Sequence, residues 1–92
     1  MLSMRTTDSQ AGMTGGISLA ALRVGARARV LAVTGSGAVA RRLMEMGVVP
    51  GAHVRVIKAA PLGDPIEVRV RGYHLALRRA EAQSIMVVMS DE

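Results

Sequence analysis

A chain of 92 residues and 9.7 kDa has room for one domain, and its half-apolar composition is that of a globular protein. With no Phe, no Trp and one Tyr, the core must come from Val, Leu, Ile, Ala and Met, which excludes a nucleic-acid surface built on stacked rings. Zero cysteines exclude disulfides, thiolate zinc sites and cysteine catalysis, while 12 Lys and Arg against 7 Asp and Glu leave a net charge of +5.

Residues 1–16 mix Ser, Thr, Gly, Gln and Asp with scattered Met and keep no period. They offer too little apolar surface to offset the entropy of ordering them, so they read as a flexible tail ahead of a folded domain at 17–92. They hold no apolar run of signal-peptide length, and no later run reaches the roughly 18 residues of a membrane span. A soluble protein without direct membrane insertion is expected.

A short helical turn is expected at 19–22, before Gly25. Next, Ala28, Val30 and Ala32 alternate with Arg27, Arg29 and Leu31, the two-residue period of a strand with one buried face. Residues 38–46 break that period. At about 100° per residue Arg41, Arg42 and Glu45 share one sector, and Val39, Ala40, Leu43, Met44 and Met46 fill the opposite arc of an amphipathic helix. Ser36 is the expected N-cap and Gly47 the C′ residue, with Pro50 just beyond. Val39, Leu43 and Met46 are expected to face the barrel, leaving Ala40 and Met44 partly exposed beside Arg41.

Val49-Pro50-Gly51 is a turn, and Val54 and Val56 alternating with His53 and Arg55 make a strand. Pro61-Leu62-Gly63-Asp64-Pro65 reads as a rigid loop, because two prolines fix φ and Gly63 can take a positive one. Ile66, Val68 and Val70 against Glu67, Arg69 and Arg71 form the clearest strand of the chain. Tyr73, Leu75 and Leu77 alternate with His74 and Arg78, a helical turn is expected near 79–82, and 85–89 is apolar on both faces. Five short strands separated by Gly and Pro, with one helical insertion, predict a mainly β fold and a small barrel.

The order of these pieces carries a further message. Leu22-Arg23-Val24-Gly25 precedes the first strand, and Arg42-Leu43-Met44-Glu45-Met46-Gly47 with Val49-Pro50-Gly51 follows it. The Pro61-to-Ile66 loop and then Leu77-Arg78-Arg79-Ala80-Glu81-Ala82 come before the last strand. This series resembles the FeoA family, small cytoplasmic accessory proteins of bacterial ferrous iron uptake, over about residues 17–88. The resemblance implies an SH3-like β-barrel with a helical insertion and no catalytic chemistry. It also implies a partner, FeoB, a membrane-embedded transporter with a cytosolic GTP-binding domain. A similar fold forms the C-terminal domain of iron-dependent repressors. The rival reading is therefore a basic barrel that binds nucleic acid or serves a transcription regulator, although the chain shows no helix-turn-helix.

Catalytic residues are not expected, since no Cys–His pair, G-x-S-x-G elbow, phosphate-binding GKS/T loop or spaced carboxylate pair occurs. His53 and His74 could ligate iron or zinc with Asp64 or Glu67, but both alternate outward and read as solvated, so neither a metal site nor a cofactor is expected. The methionines of the helix and the last strand fill the core in place of aromatic rings. Arginine greatly exceeds lysine, Lys58 being the only one, which suits either a solvated exterior or oxyanion recognition; nucleic acid is not expected on charge alone. The candidate partner-binding residues are Arg41, Arg42 and Met44, with Arg78 and Arg79 as the second basic cluster. An exposed barrel edge also permits self-association.

Overall fold

Val54 and Val56 of one strand stand opposite Val70 and Val68 of the next, so the alternating valines of both fall on one face. A computed structural model describes residues 16–35 and 37–90. The expected tail up to residue 15 and the expected cap Ser36 lie outside the described residues. The sheet comprises β1 (Ile17–Ser18), β2 (Arg27–Val33), β3 (His53–Ala59), β4 (Ile66–Val70), β5 (Tyr73–Leu77) and β6 (Ile85–Met89). These run in the order β1-β6-β2-β3-β4-β5 with every pairing antiparallel. Helix α1 (Gly37–Glu45) lies between β2 and β3, and α2 (Arg79–Gln83) between β5 and β6. A single 3₁₀ turn occupies Leu19–Ala21, and Ala60–Gly63 is a type II β-turn in which the Gly63 N–H donates to the Ala60 carbonyl at 2.7 Å.

The core is aliphatic. Val30, Val56, Val68, Val70, Ile85 and Val87 are buried from the strands, and Leu19, Leu43, Val48 and Ala82 close over them from the turns and helices. No polar or charged residue is buried among the described residues. This is the small barrel that the strand alternation predicts, with one more strand than expected. The two-residue β1, pairing Ile17 with Val87 and Ser18 with Met86, is too short to show a period.

Other departures have local causes. Ala32, expected inward, is exposed, because the β2–β6 register shifts between Val30 and Ala32 and the strand resumes on the opposite phase. Val33 takes the inner side instead, opposite Ile85. Tyr73 and Met89, also expected inward, are exposed at the ends of their strands. The clearest strand ends at Val70, one residue early: Arg71 and Gly72 have φ of 52° and 85° and form the two-residue hairpin turn into β5. Val39, expected against the barrel, is 42% exposed. Leu43 is the only buried residue of α1, so the helix rests on the barrel along one narrow line and Val39 falls to its side.

The end of α1 follows the sequence closely. Gly47 takes φ of 100°, its N–H donates to the Met44 carbonyl at 3.0 Å, and that of Val48 donates to the Leu43 carbonyl at 3.0 Å. This is the Schellman arrangement, and its usual apolar contact is supplied by buried Leu43 and Val48.

Candidate functional site

The five predicted docking residues fall on two sides of α1. Arg42 turns toward α2, where its guanidinium donates to Oε2 of Glu81. Oε1 of the same carboxylate accepts from the N–H of Arg78 at 2.9 Å, capping the start of α2. Beside it, Oδ1 of Asp64 accepts from the N–H of Arg79 at 3.2 Å. Arg42, Arg78 and Arg79 thus gather about the start of α2, next to the Pro61–Gly63 turn. At that turn Leu62 stands 98% exposed with φ of 72°. Between the helices a cleft of about 250 Å³ is lined by Gly35, Val39, Ala80, Glu81 and Ser84.

Met44 lies on the other side, 47% exposed. It borders a groove of about 830 Å³ between the end of α1 and the β4–β5 hairpin, lined also by Glu45, Met46, Gly47, Val49, Arg71, Tyr73 and Leu75. Helical spacing puts exposed Arg41 next to Met44 on this side, about 60° away around the axis. Arg71 reaches the groove across Gly47, whose missing Cβ would sit 3.1 Å from the Arg71 Cδ. Arg71, Tyr73 and Leu75 were not among the sequence candidates, since nothing local to the hairpin shows that it faces α1. An exposed tyrosine in a chain without other aromatic rings was the one available signal.

The residues weighed as metal ligands are dispersed. His74 Nε2 is 3.0 Å from Glu67 Oε1, and Lys58 Nζ is 3.8 Å from Glu67 Oε2, so this carboxylate is shared between two bases. Asp64 is engaged with α2, and His53 stands across from Arg29 on β2. Among the described residues no three His, Asp or Glu side chains converge as a metal site.

A family model described as FeoA domain matches residues 17–89. The chain belongs to the FeoA family. Over 69 residues the FeoA-family chain is 39% identical to the Fe(2+) transport protein A/Fe(2+) transporter FeoB fusion protein of Porphyromonas gingivalis (strain ATCC BAA-308 / W83). The match takes in 75% of this chain and 8% of that relative's length. The solution structure of FeoA from Chlorobium tepidum superposes with a TM-score of 0.75 at 48% identity, covering 79% of this chain and 70% of that one. FeoA of Stenotrophomonas maltophilia, solved with zinc and described as a prokaryotic SH3 domain protein, gives 0.70 at 36% identity over 77% and 88%. The fold of the FeoA-family chain is thus an SH3-like barrel, associated through its family with ferrous iron transport. Manganese-dependent transcriptional repressors share the fold at 23% and 24% identity, a likeness of architecture alone. Among the described residues no helix is long and apolar enough to cross a membrane.

Proposed function

We propose that this FeoA-family chain is a non-enzymatic accessory protein of ferrous iron uptake, acting in the cytoplasm by docking on the cytosolic part of a FeoB-like membrane GTPase transporter. The observation that carries this reading is the Porphyromonas gingivalis relative, a fusion of Fe(2+) transport protein A with FeoB. Fusion holds two modules at an effective concentration of about millimolar, which favours pairs that act on each other.

The groove beside Met44 is the docking surface that best suits a protein partner. Met44, Met46, Val49 and Leu75 supply adaptable apolar surface, Tyr73 a rigid amphipathic ring, and Arg71 and Glu45 opposite charges at the rim, with Arg41 next to Met44 on the helix. Arg42 and Arg78, joined through Glu81, and Arg79, held by Asp64 beside the Leu62 turn, form the second candidate patch. The test is capture of the transporter from membranes of the host by the wild-type chain and by Arg41→Glu combined with Met44→Glu. Loss of capture in a double variant that keeps its circular dichroism supports the groove. Capture that survives eliminates the groove and moves the interface to Arg78 and Arg79.

Nucleic-acid binding is separated by salt. Phosphate-driven binding weakens by orders of magnitude between roughly 50 and 200 mM salt when many contacts are made. An apolar groove loses far less. Tight binding of duplex DNA at physiological salt would overturn the transporter reading.

A further inference from the structure

The register of the sheet lines up like charges. Arg27 on β2 stands directly opposite Arg55 on β3, and Arg55 stands directly opposite Arg69 on β4. The row continues to His74 on β5, opposite Arg69, while His53 on β3 faces Arg29 on β2. Directly opposed residues on neighbouring strands hold their Cβ atoms about 5 Å apart, and like charges so placed destabilise a sheet. Further along β4 the same outer face carries a carboxylate, because Glu67 stands opposite Lys58 and meets His74 diagonally at 3.0 Å. No carboxylate among the described residues comes within ion-pair distance of Arg55, Arg69 or Arg71.

The charges also surround a hollow. Arg27, His53, Arg55, Arg69 and Arg71 line a depression of about 330 Å³ on this face. Ala28 and Val54, which complete much of the floor, are buried and turn their side chains to the core, so the ligand side is guanidinium and imidazole over sheet backbone. No aromatic ring lines it, so it can recognise charge but offers no platform for a base.

The geometry points to a binding site for a multiply charged phosphate-class oxyanion on the outer face of β2–β4, held chiefly by Arg55 and Arg69 with His53 beside them. Guanidinium is planar, permanently charged and bidentate toward phosphate oxygens, and two such forks on adjacent strands match an anion carrying two linked phosphates. A bound polyanion would relieve the repulsion that the register imposes between Arg55 and Arg69. This inference goes beyond the transporter reading and stands or falls without it.

The experiment is titration of the full chain with sodium pyrophosphate against sodium chloride at equal ionic strength, read by thermal unfolding and by calorimetry. Pyrophosphate should raise the midpoint where chloride does not, since a ligand of the native state alone stabilises it. Each of Arg55→Gln and Arg69→Gln should weaken binding about tenfold, by loss of one charge-assisted contact. Both variants face outward and lose a like-charge neighbour, so they fold; Arg23→Gln, away from the hollow, should bind as the wild type does. Equal effects of pyrophosphate and chloride, or a pyrophosphate effect unchanged in the Arg55→Gln, Arg69→Gln double variant, would overturn the site. Sedimentation with phosphatidylglycerol vesicles distinguishes the source of the phosphate. Vesicle binding without pyrophosphate binding would overturn the compact ligand in favour of a lipid surface.

Discussion

Arg42 on α1 and Arg78 at the start of α2 share one carboxylate: Oε2 of Glu81 takes the Arg42 guanidinium, and Oε1 takes the Arg78 N–H at 2.9 Å. Glu81 is therefore both the cap of α2 and the link between the helices. Its side chain is only 11% exposed, whereas that of Arg42 is 61% exposed. The cap should outweigh the ion pair, because an exposed guanidinium contributes about 0–1 kcal/mol and a helix cap about 1 kcal/mol.

Replacing Glu81 separates the two contributions. Glu81→Ala removes both contacts and should cost about 1–2 kcal/mol in urea unfolding. Glu81→Gln keeps an oxygen for the Arg78 N–H and should cost less than about 1 kcal/mol. Equal costs would show that the charge, and not the cap, dominates.

The strand register is tested at two adjacent positions. Val68 is fully buried, so Val68→Asp places an unpaired carboxylate in the core and should unfold the domain. Arg69 faces outward between Arg55 and His74, so Arg69→Asp should leave thermal unfolding unchanged or raise its midpoint. Similar losses in the two variants would refute the register.

Gly47 ends α1 at φ of 100°. Gly47→Ala must hold a side chain in the left-handed region and push the Arg71 Cδ from 3.1 Å. A loss of about 1–2 kcal/mol is expected, lowering the melting midpoint by several degrees in a domain of this size. Repositioned Arg71 would also disturb the groove, so this variant should weaken transporter capture while remaining folded.

Leu62 offers the opposite case. It is fully exposed and holds φ of 72°, so its side chain gains nothing from burial while its backbone is strained. Leu62→Asn should stabilise the domain by about 0.5–1 kcal/mol, since Asn tolerates this region, and Leu62→Val should destabilise it because β-branched residues do not. If Leu62→Asn lowers the unfolding midpoint, the exposed leucine has a packing role that its surroundings do not reveal.

The chain's own pattern determined a good deal. The two-residue alternation at Ile66, Val68 and Val70 and at Val54 and Val56 set which face is buried, because side chains of a strand alternate whatever it pairs with. Gly47 marked the end of α1, and of the three residues expected against the barrel Leu43 is buried while Val39 is exposed. The ordered motifs pointed to the FeoA family, which the match over residues 17–89 bears out. Tertiary structure decided what no local window contains. The bulge after Val30 exposed Ala32, because a register shift depends on the partner strand β6. Arg42 joined Arg78 because the carboxylate that links them, Glu81, belongs to a helix far along the chain. Arg27, Arg55 and Arg69 became neighbours only through pairing across β2, β3 and β4. Alternation says that each points outward; only the register, a long-range property of the sheet, sets them side by side.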